Sequence, residues 1–470
     1  MCLFRGMKIA FLSANREQLP DPVVPLGILH VMAATPAPHA RELWDMCFSR
    51  APLISLRQKI AGFTPDLVAM GLRNLYNSDY SGTQHNVAYY KSLIETIRAD
   101  APDAKIVLGG GGFSVIPEKL MAHLKPDFGI AGEGEESFPM LLAELEKPEP
   151  DFARVPGLFY FREGQPRANS VRAAFLDLNK RPPLPRHLVD KNYYRKVGIE
   201  NVQTKRGCVL KCSYCTYPKI EGRNYRTRTP ANVVDDLFRS LEANPEINHF
   251  FIVDSVFNLP RQHAKDVCKE MIARGFDTPW TCYVNPLGFD PELADLMARA
   301  RCQGMEIGSD SGCDEVLKGL RKGFTTKDIR NINRLSKAAG LKDCHTFILG
   351  TPGESMEQVK RSMDFIIDLD PYAAIVMAWT DDEDVLDSPN AFERRRLREQ
   401  ILDSLRAIRS DFPRWVIPPL GENFDHRMFR FLRLQGCQGP LWQNLRAPTA
   451  GGSAMGQIDL PIHHALENFK

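Results

Sequence analysis

The segment Lys205-Arg206-Gly207-Cys208-Val209-Leu210-Lys211-Cys212-Ser213-Tyr214-Cys215-Thr216-Tyr217-Pro218 decides how the rest of the sequence is interpreted. It places three cysteines in the spacing C-x3-C-x2-C, directly after a run with the pattern of a strand. Thiolates are the usual ligands of iron–sulfur clusters, which normally take four of them. The next cysteine in the chain is Cys268, so a cluster held here keeps one iron open to a substrate or cofactor.

A structural zinc site is the competing interpretation of these cysteines, because zinc sites also use closely spaced cysteine pairs. Zinc requires a fourth Cys or His, and none follows the trio at a comparable spacing. The pattern therefore favours a [4Fe–4S] cluster with Cys208, Cys212 and Cys215 as its ligands. The other cysteines are expected to be buried apolar side chains.

Around this segment the sequence alternates between strand and helix patterns. Six strand candidates follow one another at residues 201–205, 249–254, 280–284, 304–308, 345–349 and 374–379. Amphipathic stretches separate them, which predicts a partial (β/α)6 barrel over residues 199–385, short of the eight units of a closed barrel. Active sites of such barrels are assembled at the carboxyl ends of the strands.

The first part of the chain has the same alternation and is predicted to be a separate domain. Strand candidates occur at residues 9–13, 42–46, 67–72, 106–108 and 128–131. Strand–helix alternation predicts a parallel sheet with helices on both faces, so residues 7–148 are expected to form a doubly wound, Rossmann-like domain. The fold class is therefore α/β.

Two further regions complete the predicted organisation. Residues 149–198 are expected to form a linker with a small hairpin, in which 157–161 pairs with 172–175, before a proline-rich junction. Residues 386–470 lack the alternation, and we expect a mainly helical or irregular cap over the barrel mouth.

The pattern C-x3-C-x-aromatic-C after the first strand of a partial barrel resembles the signature of the radical S-adenosylmethionine (SAM) superfamily. The resemblance implies that the open iron chelates the amino and carboxylate groups of SAM, with Tyr214 near the adenine. It also implies SAM contacts at the ends of later strands. These are Asp254 and Ser255 near the amine, Glu306, Ser309 and Asp310 at the ribose, and Gly350 in a glycine-rich turn near the adenine.

The first domain carries glycines where its strands are predicted to end, and glycine lets a bulky ligand approach the backbone closely. Directly ahead of a radical SAM core, this set resembles the cobalamin-binding domain of B12-dependent radical SAM proteins. The resemblance covers roughly residues 7–380. The implied cobalamin contacts are Pro25, Leu26, Gly27, Asp45, Leu72, Arg73, Asn74, Gly110, Gly111, Gly112, Glu133 and Gly134.

One motif departs from the pattern of many cobalamin domains. They carry Asp-x-His-x-x-Gly, whose histidine ligates cobalt from below, whereas this chain has Asp45-Met46-Cys47-Phe48-Ser49-Arg50. The resemblance then implies a lower cobalt face without a histidine, facing Arg73 or Leu72. The opposing interpretation is a Rossmann-like scaffold without a cofactor.

The resemblance implies a methyltransferase that moves a methyl group from SAM, via methylcobalamin, to an unactivated carbon or phosphorus of a small molecule or peptide. The sequence does not identify the catalytic residues of this enzyme. One alternative is a B12 radical SAM reaction without methyl transfer, such as cyclisation, ring contraction or oxidation. A cobalamin-free radical SAM modifying enzyme and a non-catalytic cofactor carrier are further alternatives.

The composition of the chain restricts the classes of partner that we expect. The formal net charge of +2 gives no reason to expect nucleic acid or an anionic membrane. Eleven cysteines scattered along 470 residues do not resemble a disulfide framework, which favours the cytoplasm. Cluster chemistry further implies an electron donor such as flavodoxin or ferredoxin.

Overall fold

The computed structural model describes residues 6–77, 84–170, 177–379, 391–408, 414–424 and 426–445. Two seven-stranded sheets organise these residues, one in each half of the chain. Among the described residues, no helix combines the length and the apolar character needed to cross a bilayer.

The first sheet has the strand order β2-β1-β3-β6-β7-β8-β9. Its first five strands in that order are parallel, and helices cover both faces. The elements are β1 (Lys8–Ser13), α1 (Leu26–Ala34), β2 (Ala40–Asp45), α2 (Pro52–Phe63), β3 (Leu67–Gly71), β4 (Tyr76–Asn77), β5 (Gln84–His85), α3 (Val87–Asp100), β6 (Lys105–Gly109), α4 (Gly111–Val115), α5 (Pro117–Leu124), β7 (Phe128–Ile130), α6 (Gly134–Leu145), β8 (Leu158–Arg162) and β9 (Gln165–Ala168).

This order confirms the doubly wound architecture and fixes where a ligand can bind. The chain leaves β1 towards β2 on one side and later returns to β3 on the other, so the connections diverge between β1 and β3. In open α/β sheets the crevice outside the carboxyl ends at such a switch point is the ligand site. Buried apolar side chains line both faces of the sheet, as parallel strands require.

The hairpin after the first domain differs from the prediction. Its second strand is Gln165–Ala168, whereas the predicted partner at 172–175 lies outside the described residues. Glu163 and Gly164 both have positive φ, at 53° and 74°, which is the geometry of a two-residue turn that returns the chain at once. The hairpin also pairs with β7, so it extends the first sheet instead of standing in a linker.

The second sheet is parallel throughout, in the order β10-β13-β14-β15-β16-β17-β18. The elements from the junction onward are α7 (Asn192–Lys196), β10 (Ile199–Val202), β11 (Lys205–Arg206), α8 (Tyr217–Glu221), β12 (Arg226–Thr227), α9 (Pro230–Ala243), β13 (His249–Ile252), α10 (Arg261–Ala273), β14 (Trp280–Val284), α11 (Pro291–Arg299), β15 (Cys302–Asp310), α12 (Asp314–Gly319), α13 (Thr326–Ala338), β16 (Lys342–Leu349), α14 (Met356–Leu369), β17 (Ala373–Ala378), α15 (Ala391–Ile408), β18 (Trp415–Val416) and α16 (His426–Leu434).

A seventh strand, β18, extends the six that the sequence predicts. It pairs with Ala374 and Ile375 of β17 and is only two residues long, too short to produce a recognisable period in the sequence. The sheet remains an open, partial barrel, with β10 and β18 at its edges.

Residues 414–445 pack at the amino-terminal end of this barrel, whereas α15 packs near Gly350 at the carboxyl end of β16. Trp442 packs where a side chain at Gly304, near the start of β15, would lie only 2.8 Å from its ring. The backbone carbonyl of Gln443 accepts hydrogen bonds from Lys342 and Tyr372, at the starts of β16 and β17. An open barrel exposes apolar side chains at that end, and these aromatic residues bury them.

One ion pair fastens this region to the first domain. Arg433 of α16 donates to Asp21 at 2.8 Å and also to the backbone carbonyls of Cys437 and Gly439. Burial raises the pKa of Asp21 to about 6 even though Arg433 acts to lower it.

We expect Arg433→Leu to destabilise the docking of α16 by about 3 kcal/mol, because it leaves a mostly buried carboxylate without its partner. Asp21 must be ionised to hold the arginine, so the penalty is full above pH 6 and shrinks as the pH falls through that value. Thermal unfolding and limited proteolysis at pH 7.5 and pH 5 measure it. Arg430→Leu, on the exposed face of the same helix, is the control. Equal destabilisation of both variants would contradict the role of the Arg433–Asp21 ion pair in docking α16.

Candidate functional site

The three cysteines lie on a loop that a small two-stranded sheet closes. Strand β11 precedes the loop, β12 follows it, and the two pair antiparallel. Gly207 begins the loop with a φ of 87°, and a Cβ there would lie 2.0 Å from the carbonyl oxygen of Asn224. Only glycine fits this position, because it has no side chain to meet that oxygen.

The side chains of the three cysteines lie near one another on this loop. All three are unoxidised thiols, with Cys208 buried and the other two half-buried. Burial raises the pKa of Cys212 and of Cys215, and the neighbouring sulfurs raise both further. Within the described part of the chain, no three His, Cys, Asp or Glu side chains stand close enough to hold one metal ion.

Tyr214, between the second and third cysteines, holds the loop against the barrel. Its hydroxyl makes a short hydrogen bond to Asp310 at the end of β15, and Lys322 contacts the same carboxylate at 2.6 Å. Trp379 packs edge-on against the tyrosine ring at 5.8 Å between centroids. The structure thus brings together two of the residues predicted to contact SAM, with a lysine that the sequence analysis did not single out.

Asp254, which was predicted to contact the SAM amine, is bonded within the protein. Its carboxylate is fully buried and accepts hydrogen bonds from the backbone and hydroxyl of Thr204 and from the backbone of Lys205. The Lys205 ammonium pairs with it at 3.2 Å. These donors occupy the carboxylate, so Asp254 anchors the entry to the cysteine loop. Ser255 lies beside the loop and donates to the carbonyl of Gly207 at 3.1 Å.

Two more predicted SAM contacts also bond within the protein. The Ser309 hydroxyl is fully buried and hydrogen-bonds Nδ1 of His345 at 2.7 Å. The backbone N–H of Gly350 donates to Glu354, and a Cβ there would lie 2.5 Å from Ile401 of α15. Both residues therefore have contacts within the protein. A turn pattern in the sequence does not show which side chains pack against the turn.

A cavity of about 680 Å³ lies between the first sheet and the inner face of the barrel. Ser13, Gly71 and Gly109, at the carboxyl ends of their strands, line it on one side, as the switch point predicts. Tyr217 and Ile220, on the helix that follows the third cysteine, line it as well. The helix that follows the cysteine loop and the carboxyl ends of the first sheet therefore line the same cavity.

Most of the residues predicted to contact cobalamin line this cavity. They are Pro25, Leu26, Gly27, Leu72, Arg73, Gly110, Gly111, Glu133 and Gly134. The bare backbone supplies a cradle there, since a Cβ on Gly27 would meet nothing within 4 Å and one on Gly111 would reach Ile220 at 3.6 Å. The cradle fits a broad ligand that lies against the backbone.

Three predicted contacts do not line the cavity. Asp45 accepts hydrogen bonds from the Tyr193 hydroxyl and the Cys47 backbone, and Gly112 is buried in α4. The carbonyl of Asn74 accepts from Tyr90. Because Cys47 lies among these buried groups, the segment that carries histidine in many cobalamin domains points no ligand into the cavity. Arg73 is the exposed, cavity-lining residue after β3.

A buried cluster of ion pairs joins the two domains, and the sequence analysis missed it. Arg206 of β11 contacts Glu135 at 2.7 Å and Glu133 at 3.4 Å, while Arg226 of β12 makes a short bidentate pair with Glu133. Burial acts to lower the pKa of Arg206, but the two carboxylates raise it overall. Glu133, predicted to contact cobalamin, is therefore engaged by arginines at the edge of the cavity.

Together these features define a class: two-domain α/β proteins in which a doubly wound domain opens onto a partial barrel with a three-cysteine loop. Comparison of sequences specifies the class further. Residues 13–142 match the family described as the B12 binding domain, and residues 202–366 match the radical SAM superfamily. The chain thus combines a B12-binding domain with a radical SAM domain.

Individual relatives are moderately similar. The tryptophan 2-C-methyltransferase of Streptomyces laurentii is 28% identical over 67% of this chain and 63% of its own length. The cytidylyl-2-hydroxyethylphosphonate methyltransferase of Streptomyces wedmorensis is 25% identical over 64% of the chain and 62% of its own length. The chain thus spans less than two thirds of either relative.

Among solved structures, the radical SAM methyltransferase TsrM from Kitasatospora setae, with cobalamin and a [4Fe–4S] cluster bound, superposes with a TM-score of 0.71. It is 28% identical, and the match covers 80% of this chain and 75% of that protein. The similarity extends over both sheets, which confirms the predicted fold class.

We expect Gly207→Ala to prevent stable formation of the cysteine loop. A Cβ there meets the Asn224 carbonyl, and the left-handed backbone adds strain of about 1–3 kcal/mol. The measurement is cluster absorbance per chain after anaerobic reconstitution with iron and sulfide. Gly275→Ala is the matched control, because Gly275 also has a positive φ, of 64°, but a Cβ there would meet nothing within 4 Å. A normal cluster content in Gly207→Ala would contradict this account of the loop.

Proposed function

We propose that this chain is a cobalamin-dependent radical SAM methyltransferase that acts on a small molecule. One observation carries the proposal: a single cavity is lined both by the glycine-rich strand ends of the B12-binding domain and by the helix that follows the cysteine loop. Two cofactors held at these places would face the same enclosed space. A shared space is what transfer of a group between them requires.

The residues present fit the cofactors. The three free cysteines lie on a loop that requires a glycine, and they fit a cluster with one open iron. The cavity wall formed by bare glycine backbone fits cobalamin. When bound, the reduced cluster supplies an electron that cleaves SAM, and cobalamin carries the methyl group.

The protein's part in the reaction is to bind, orient and exclude water. Cys208, Cys212 and Cys215 would hold the cluster, while Asp310 and Lys322 lie beside Tyr214 next to it. We propose that SAM contacts arise from this group and from the glycine at 308, where a Cβ would have no atom closer than 3.9 Å. Closure of the barrel by the C-terminal region keeps water from the reacting groups.

Arg73 is the residue we propose to face the lower side of cobalt. It follows β3 at the switch point, lines the cavity and is exposed to it. A guanidinium stays protonated and is a poor metal ligand, so it would leave that face without a donor.

The cysteine loop also offers a route for electrons. Val209 is 46% exposed and Lys211 is exposed, so the outer side of the loop is open. We propose that a small acidic electron carrier such as flavodoxin or ferredoxin docks there, because exposed lysines attract acidic surfaces.

Anaerobic reconstitution of the full chain with iron, sulfide and hydroxocobalamin tests the proposal. Cys212→Ala should lose cluster absorbance and reductive cleavage of SAM while it still binds cobalamin, because the cobalamin cradle lies in the other domain. Cys437→Ala, in the C-terminal region, is the control and should retain both cofactors. A wild-type protein that holds zinc at the cysteines, or a Cys212→Ala variant that still cleaves SAM, would contradict it.

The type of reaction is decided by the mass of the product. Methyl transfer adds one methylene unit to the substrate, and that unit carries the label when SAM is labelled in its methyl group. Cyclisation or oxidation leaves the substrate without that label.

A further inference from the structure

We propose, on the basis of the proposed function, that the barrel half of the cavity is a substrate chamber for an apolar or aromatic small molecule bearing a protonated amine, which Glu306 binds. The glycine cradle and Arg73 line the other half of the cavity. The chamber is distinct from that half because the inner faces of the barrel strands and the C-terminal region line it.

The wall of the chamber is largely aromatic. Tyr283 of β14, Phe251 of β13 and Trp442 contribute rings from three elements, and Phe424 and Phe429 of the C-terminal region add two more. Tyr283 is 37% exposed although strands surround it, and it lines the cavity. Aromatic faces attract apolar groups and, through their quadrupole, organic cations.

Glu306 is the polar group in this wall that can hold a ligand. It points inward from the middle of β15, and the indole N–H of Trp442 donates to one carboxylate oxygen at 2.9 Å. The described part of the chain contributes no lysine or arginine partner and no second hydrogen bond to Glu306. A carboxylate accepts several hydrogen bonds, so the oxygen that faces the cavity retains its capacity for a donor from a ligand.

The charges around Glu306 favour a cation. Asp21, another carboxylate that lines the cavity, is paired with Arg433. The basic side chains that line the cavity, Arg73 and Arg206, belong to its other half, and Arg206 is paired with Glu135. An anionic group placed beside Glu306 would therefore meet a carboxylate and aromatic faces, with no basic partner there to compensate it.

The protonation of Glu306 supplies a second signature. The pKa of Glu306 is raised to about 7, mainly by burial; the hydrogen bond from Trp442 acts to lower it and Asp21 acts to raise it. The other titratable groups that interact with Glu306 are Tyr283 and Cys344, and burial raises the pKa of both well above their ordinary values, so they remain neutral. An ammonium ligand binds the ionised form, so its affinity should rise with pH through about 7.

The experiment measures binding of three probes of matched size to the reconstituted holoenzyme by calorimetry at pH 8. They are 2-phenylethylamine as the cation, 3-phenylpropionate as the anion and 3-phenylpropanol as the neutral analogue. We expect the amine to bind at least about tenfold more tightly than the anion. Lowering the pH from 8 to 6 should weaken amine binding about tenfold and leave the alcohol unchanged.

Glu306→Gln should abolish the pH dependence and weaken binding of the amine at pH 8 by about tenfold, with the alcohol unaffected. Glu357→Gln, exposed at the start of α14, is the control. Trp442→Phe keeps the ring but removes the hydrogen bond that lowers the pKa of Glu306, so the midpoint of the pH dependence should move upward. This variant provides an independent test should Glu306→Gln fold poorly.

The outcomes separate this inference from the proposed function. A holoenzyme with normal cluster and cobalamin absorbance that binds the anion as tightly as the amine would overturn the amine assignment alone. Unchanged amine binding in Glu306→Gln would also overturn it, since another group would then hold the ammonium. Failure to bind either cofactor would instead overturn the proposed function.

Discussion

The ion pairs between Arg206 and Arg226 on one side and Glu133 and Glu135 on the other determine how the two halves of this protein work together. The arginines flank the cysteine loop, and the glutamates follow the last parallel strand of the B12-binding domain. Buried ion pairs add little net stability, but loss of one partner leaves an uncompensated charge. Such a cluster favours one relative placement of the domains strongly. The cavity is the space that this placement encloses.

Most of the architecture was predictable because it rests on local patterns. Strand β14 occupies Trp280–Val284, the range that its apolar run predicts, and the three cysteines are recognisable from their spacing alone. The glycines at 110 and 111 were predicted to border a ligand, and they do line the cavity. Hydrophobic periodicity and cysteine spacing involve residues that are close in the chain. A single sequence is therefore enough to recognise them.

Other features depend on contacts between distant residues, which a sequence pattern does not show. Asp254 is predicted to contact the SAM amine, and the structure adds a buried ion pair with Lys205 that the sequence did not indicate. Glu306 was predicted to contact the SAM ribose, yet Trp442, far along the chain, reaches it. The two-residue β18 has too little sequence to show a period. Sequence patterns do not record which surfaces meet, so the cavity wall and the ion-pair cluster became visible only in three dimensions.

The aromatic closure at the amino ends of the barrel strands has an evolutionary consequence. The cysteine loop lies at the opposite end of the strands. The cluster ligands and the aromatic closure are therefore at opposite ends of the barrel. Replacement of residues 414–445 changes the packing at the amino ends of the strands, while the cysteines and the cavity-lining glycines belong to other elements. A lineage can therefore acquire new chemical targets by exchanging a single terminal module. Divergence within such a lineage should be concentrated in that module, with the catalytic apparatus inherited intact.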